Sequence, residues 1–251
     1  MRKLIIGNWK MNPKSLKEAE MLAKELVKSA RGKKNTTVVI CPPAPYLIPL
    51  KKIFGKVIGL GAQNAFFEME GAHTGEISPK MLASIGVSHV ILGHSERRNP
   101  PTGGGETDHM INKKVLAVLA SGLTPVLCVG ERERDDAHAY LQVIKTQLEI
   151  GLAGVQKTRL GNVIIAYEPI WAIGKDASRV ATPEESREMS VFIRKVIADM
   201  FGQKESAKVR VIYGGSVDEK NGADFLANGG VEGLLPGRLS LQPKKFIKIL
   251  K

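Results

Sequence analysis

The chain has 251 residues, 43% of them hydrophobic, and a formal net charge of +12 at pH 7. That length allows one large domain or two small ones, with apolar content enough for a full core. It holds no run of about 18 apolar residues, so no membrane span is expected.

The first apolar stretch, residues 4–7, is too short for a signal peptide, and a cytoplasmic location is expected. Cys41 and Cys128 each sit in an apolar run without metal-ligand spacing, which argues for reduced, buried thiols. The net charge fits a nucleic acid, an anionic small substrate or a solvated basic surface. The basic residues fall in scattered pairs such as Lys33-Lys34 and Lys51-Lys52, with no basic block carrying interleaved aromatics. A nucleic acid is therefore not expected as a partner, and without a span neither is a membrane.

Strand-like segments lie at residues 4–8, 37–41, 57–63, 89–92, 124–129, 163–168, 209–213 and 233–235. They are near-continuous apolar runs, the pattern of strands buried on both faces. Amphipathic stretches fall between them at residues 15–30, 78–83, 108–120, 137–151, 183–200 and 223–227. Thr182-Pro183-Glu184-Glu185 is a helix start, an N-cap with Pro at the first helical position. No Pro/Gly/Ser-rich linker divides the chain. The alternation predicts an α/β protein, a single (β/α)8 barrel over residues 1–251. The rival is a doubly wound open sheet, but no G-x-G-x-x-G follows the first strand.

In such a barrel, function collects at the C-terminal ends of the strands. The first strand ends in Asn8-Trp9-Lys10, the fourth in Gly93-His94-Ser95-Glu96, and the sixth in Glu168. The seventh and eighth end in glycine-bearing turns, Gly214-Gly215-Ser216 and Pro236-Gly237-Arg238, suited to bringing backbone N–H groups against a phosphate. One carboxylate, one imidazole, one ammonium and a phosphate grip thus converge on one rim. Without metal or dinucleotide motifs, that set suits proton abstraction next to a carbonyl, with the His and Lys stabilising the enediolate oxygen. Taken singly, Lys10 reads as a solvated lysine and His94 as a structural histidine; their company changes the reading. His73, His89, His109 and His138 lack such company and are expected to be structural or exposed.

These segments resemble the triosephosphate isomerase family over the whole chain. The match includes Gly7-Asn8-Trp9-Lys10-Met11-Asn12, Gly61-Ala62-Gln63-Asn64, Thr74-Gly75-Glu76 and Gly93-His94-Ser95-Glu96-Arg97-Arg98. It continues through Ala166-Tyr167-Glu168-Pro169-Ile170-Trp171-Ala172-Ile173-Gly174 and Tyr213-Gly214-Gly215-Ser216. The resemblance implies a TIM barrel that interconverts glyceraldehyde 3-phosphate and dihydroxyacetone phosphate without a cofactor or metal. It makes Glu168 the base, His94 the electrophile, Lys10 the electrostatic partner, Asn8 a substrate-orienting amide and Glu96 the second carboxylate near Lys10. Gly174, Ser216, Gly237 and Arg238 would hold phosphate through their N–H groups, and Tyr213 would support the lid. Thr74 would approach a second subunit's site and Glu76 would pair with Arg97 across the interface, in a homodimer or a larger oligomer built on one.

The chain departs from the family pattern in three places. Asn99 to Gly104 lengthens the connection between Arg98 and Gly105-Glu106. The lid tip, Lys175-Asp176-Ala177-Ser178-Arg179-Val180-Ala181, is longer than usual and lacks the second glycine, so Asp176, Ala177 or Ser178 is expected to supply the backbone contact to Ser216. Pro236 replaces a residue with an N–H. Two other readings remain: another phosphosugar isomerase on this barrel, or a phosphate-binding TIM barrel with a non-catalytic, partner-binding role.

Overall fold

A computed structural model describes residues 2–174, 177 and 179–250. Eight parallel strands close a barrel in sequence order: β1 (Lys3–Asn8), β2 (Thr36–Cys41), β3 (Gly59–Ala62), β4 (His89–Leu92), β5 (Thr124–Val129), β6 (Ile164–Tyr167), β7 (Arg210–Tyr213) and β8 (Gly233–Leu234). The expected (β/α)8 architecture is what the chain adopts. The helices are α1 (Leu16–Ala30), α2 (Leu47–Phe54), α3 (Pro79–Ser84), α4 (Ser95–Arg98), α5 (Asp108–Ala120), α6 (Ala139–Gly151), α7 (Pro183–Phe201), α8 (Gln203–Ser206), α9 (Gly222–Asn228) and α10 (Pro243–Phe246).

The two-faced burial inferred from the apolar runs divides the core in two. An inner cluster, including Leu4, Ile6, Val39, Ile91, Val126, Cys128, Ile164 and Ala166, fills the barrel. Alternate strand residues such as Ile5, Ile40, Val90, Leu127 and Ile165 belong to a larger cluster shared with the helices, for example with Leu26, Val115 and Ile193. The helices start where polar side chains meet their free N–H groups. Ser15 accepts from Glu18 N, and Thr182 forms a full capping box with Glu185 at the head of α7.

Most element boundaries fall within a residue or two of the sequence expectation, and α2 lies outside it. β3 starts at Gly59 rather than residue 57, because Val57 and Ile58 donate to Phe54 O and finish the α2 terminus. β8 ends at Leu234 although Leu235 N still donates to Tyr213 O at 2.8 Å; Pro236, with no N–H, follows. α2 has no clear sequence signature, since Pro42, Pro43, Pro45 and Pro49 crowd its start; Pro is tolerated in a first turn, where N–H groups are unbonded in any case.

Candidate active site

Closing the barrel brings the ends of β1, β4, β6, β7 and β8 together. Asn8, the last residue of β1, is buried, and its N–H donates to Pro236 O at 2.9 Å, joining the ends of β1 and β8. Its Oδ1 accepts from Lys10 N at 2.9 Å. Lys10 has φ +52°, a left-handed conformation that a side-chain-bearing residue holds only when its surroundings enforce it. Gln63 supplies the rest of that enforcement, donating to Lys10 O at 2.8 Å and Cys41 O at 2.9 Å. The strained turn directs the Lys10 ammonium onto Glu96 Oε1 at 2.5 Å.

His94 caps the N-terminus of α4. Its Nδ1 accepts from Glu96 N at 3.2 Å, so a neutral ring carries its proton on Nε2. That Nε2 lies 3.4 Å from Glu168 Oε1. Glu168, one residue beyond β6, is 2% exposed; its Oε2 accepts from Ser95 N at 3.0 Å, while Oε1 has no hydrogen-bond partner among the described residues. The oxygen without a partner is the one a substrate proton could reach. The Cys128 thiol sits beside this carboxylate: burial, then the Glu168 charge, push that thiol well above its ordinary range and keep it un-ionised.

The glycine turns after β7 and β8 are close-fitting. A Cβ on Gly214 would stand 2.9 Å from Glu168 Cγ, so only glycine leaves the base its space. A Cβ on Gly237 would stand 3.4 Å from Lys10 Cε, which places this turn against the Lys10 side chain. Arg238 opens a short 3-10 turn, whose first N–H groups lack partners within it. Ser216 Oγ donates to Ala172 O at 2.7 Å and ties the β7 turn to the lid base. Tyr213 is fully buried, stacks on Phe225 at 4.0 Å, and has a hydroxyl without a hydrogen-bond partner among the described residues. Gly174 has φ +87° at the edge of the lid tip; Lys175, Asp176 and Ser178 lie outside the described residues.

A cluster that the sequence did not single out anchors the lid base. Glu131 Oε1 accepts from Tyr167 OH and Trp171 Nε1, both at 2.8 Å, and from Arg134 Nε at 3.2 Å. Arg179 lies 4.3 Å from the Trp171 ring centroid and forms a two-pronged pair with Glu185 of the α7 capping box. Both ends of the lid are thereby fastened to ordered elements. Glu131 and Arg134 stand in a run of surface-like charges, so nothing local distinguishes them from solvated residues.

The expected interface residues lie apart from this cluster. Thr74 and Glu76 are exposed. Within the chain Arg97 pairs with Glu106 at 2.5 Å, and the pairing with Glu76 implied by the resemblance is not made in one subunit. A cleft of about 460 Å³, lined by Asn8, Lys10, Met11, His94, Glu96 and Arg97 among others, opens at this rim, and Met11 at its edge is 93% exposed.

A parallel eight-stranded barrel with a carboxylate, an imidazole and an ammonium at the C-terminal ends of its strands has the layout of a barrel enzyme suited to proton transfer next to a carbonyl. The profile of the family described as triosephosphate isomerase matches residues 3–251. Proteins named triosephosphate isomerase from Carboxydothermus hydrogenoformans, Dictyoglomus thermophilum and Aquifex aeolicus are 46%, 43% and 42% identical to the chain, each aligned over 100% of it and 99% of the relative. The chain belongs to the triosephosphate isomerase family.

Proposed function

We propose that this chain interconverts D-glyceraldehyde 3-phosphate and dihydroxyacetone phosphate, with Glu168 as the base. The observation that carries the reading is the enclosed Glu168 carboxylate facing the His94 Nε2–H at 3.4 Å, with Lys10 on the same rim. Substrate entering between these groups replaces their mutual contact. Glu168 takes the proton from the carbon next to the carbonyl, and the electron pair moves toward the carbonyl oxygen. The His94 Nε2–H and the Lys10 ammonium stabilise that oxygen as the enediolate forms. The His94 Nε2–H gives its proton to that oxygen and regains one from the neighbouring hydroxyl, and return of the carbon-bound proton from Glu168 to the former carbonyl carbon completes the isomerisation. Asn8 orients the substrate, and Glu96 holds the Lys10 side chain. The N–H groups of Gly174, Ser216, Gly237 and Arg238 grip the phosphate, while Tyr213 offers its free hydroxyl to the closing lid.

The chain acts as one catalytic domain in the cytoplasm and assembles at least as a homodimer. The exposed Thr74–Glu76 segment and the cleft beside Lys10 and Met11 suit a self-complementary contact between two copies. The test of function is steady-state turnover of glyceraldehyde 3-phosphate against larger phosphosugars, in the parent and in Glu168→Gln. General-base loss lowers turnover by roughly 10²–10⁴-fold. Turnover within about twofold of the parent would remove Glu168 from the mechanism.

A further inference from the structure

The net charge is divided unequally between the two ends of the barrel. The helix-to-strand connections, residues 31–35, 55–58, 85–88, 121–123, 152–163, 202–209 and 229–232, carry eight Lys or Arg and two Asp or Glu. The strand-to-helix connections, residues 9–15, 42–46, 63–78, 93–107, 130–138, 168–182, 214–221 and 235–242, surround the site; they carry ten Lys or Arg and thirteen Asp or Glu. The helix-to-strand end is therefore net positive and the catalytic mouth net negative, with the remaining positive charge carried on the helices, strands and termini. Residues 28–67, which run from the end of α1 past β3, contain seven Lys or Arg and no acid.

Most of these cations have no ion-pair partner among the described residues; Lys208, paired with Glu205 at 2.7 Å, is the exception. Arg31, Lys34, Lys56, Lys157, Arg159 and Lys204 are exposed, and none of them forms an ion pair among the described residues. On the catalytic side, Arg97, Arg98, Arg134 and Arg179 each meet a carboxylate. Like charges gathered without counter-charges repel one another and work against the folded state. An external anionic surface would relieve that repulsion.

The composition of this face narrows the kind of surface. Its seven connections contain no Phe, Tyr or Trp, so no platform exists for stacking the bases of a single-stranded nucleic acid. None of the exposed large hydrophobic residues lies in them, so there is no buried anchor of the kind that dominates protein–protein contacts. What remains is charge spread across one end of a barrel. A plane of phosphates can meet all of it at once, whereas a nucleic-acid duplex, being a cylinder, meets only a stripe.

We propose that the helix-to-strand face is a peripheral docking surface for an anionic lipid bilayer, with the catalytic mouth turned toward solution. The expectation of no membrane partner came from the lack of a membrane span. No helix of the described residues is long and apolar enough to cross a bilayer, and a contact through headgroups requires none.

The test is co-sedimentation of the full chain with phosphatidylcholine vesicles, plain or containing about 30% phosphatidylglycerol. The chain sediments with the anionic vesicles alone and is released as salt is raised. Each cation near such a surface strengthens binding by about fivefold, so Arg31→Glu/Lys34→Glu/Lys56→Glu weakens it by at least about tenfold. Turnover and far-UV dichroism of that variant match the parent, while Lys80→Glu, at the other end of the barrel in the first turn of α3, leaves vesicle binding unchanged. No sedimentation at low salt, equal binding by the triple variant, or tighter binding to duplex DNA than to the vesicles would each overturn the proposal.

Discussion

The Glu96 N–H donates to His94 Nδ1 at 3.2 Å, and this one backbone contact sets which face of the imidazole meets the Glu168 carboxylate. The ring nitrogen that points at the reacting atoms is a donor because the other is occupied as an acceptor. Nitrogen-15 spectra at neutral pH should therefore show His94 with its proton on Nε2 and an unprotonated Nδ1. A signal for the opposite tautomer would break the assignment of His94 as the donor to substrate oxygen.

Gly214 is expected to matter for rate more than for stability. A β-carbon there would press on Glu168 Cγ from 2.9 Å, with the other near atoms at 3.3 Å or beyond. Gly214→Ala should displace the carboxylate by a fraction of an ångström. Misplacement on that scale can cost about 10²-fold in turnover. The measurement is kcat alongside the unfolding midpoint. A variant of normal kcat would show that the base tolerates the shift.

Glu131 gathers three donors on one oxygen, two of them from the residues flanking the lid base. Glu131→Gln keeps the shape but removes the charge and replaces one oxygen with an N–H donor. Tyr167, Trp171 and Arg134 then compete for a poorer acceptor, and stability should fall by about 1–3 kcal/mol. Turnover should fall as well, because Trp171 begins the lid. Denaturant unfolding and kcat together check this, and an unchanged pair of values would mean that the cluster does not hold the lid.

His89, at the start of β4, contributes to the acid sensitivity of the fold. Burial, and secondarily the Arg210 charge, push its pKa down to about 4 from 6.5; its Nδ1 lies 2.8 Å from Ser88 Oγ. The unfolded chain takes up a proton near pH 6.5 that the folded chain refuses until about pH 4. Stability is therefore lost as pH falls through that window, by at most about 3 kcal/mol, and His89 adds no slope above it. Denaturant midpoints of the parent and of His89→Asn, followed from neutral pH to pH 4, should diverge in that window, the variant having the shallower decline. Parallel curves would clear His89 of any part.

Assembly has its own test. Glu76 is exposed, and the resemblance places it against Arg97 of a second copy. Glu76→Arg sets like charges together and should shift the population toward monomers. Sedimentation velocity at micromolar concentration reads this directly. A parent that is already monomeric and fully active would end the dimer reading.

The barrel was legible because its strands are buried on both faces, and β1, β5 and β6 read as unbroken apolar runs. The convergence of Lys10, His94 and Glu168 on one rim was legible because each lies just beyond such a run, so a rule about strand ends finds them. α2 was harder to read, since the prolines around it mimic a loop. The lid anchor was not legible at all. Glu131 and Arg134 acquire their roles from Tyr167 and Trp171, which are distant in sequence and meet them only in the closed barrel. The contribution of Ser95 was hidden for another reason: it acts through its backbone N–H, which carries no residue-type signal.

β8 contributes only Gly233 and Leu234 to the sheet, pairing with Leu4 and Ile5 on one side and with Ile212 and Tyr213 on the other. The ring is therefore sealed by its shortest member, and the seal joins residues more than two hundred positions apart. During synthesis, β1 waits with one edge unsatisfied until nearly the whole chain has left the ribosome. Contacts this far apart in sequence form late and slowly. The seam between β1 and β8 is thus the last joint to set as the chain is born, and the place from which the finished barrel should first begin to fray.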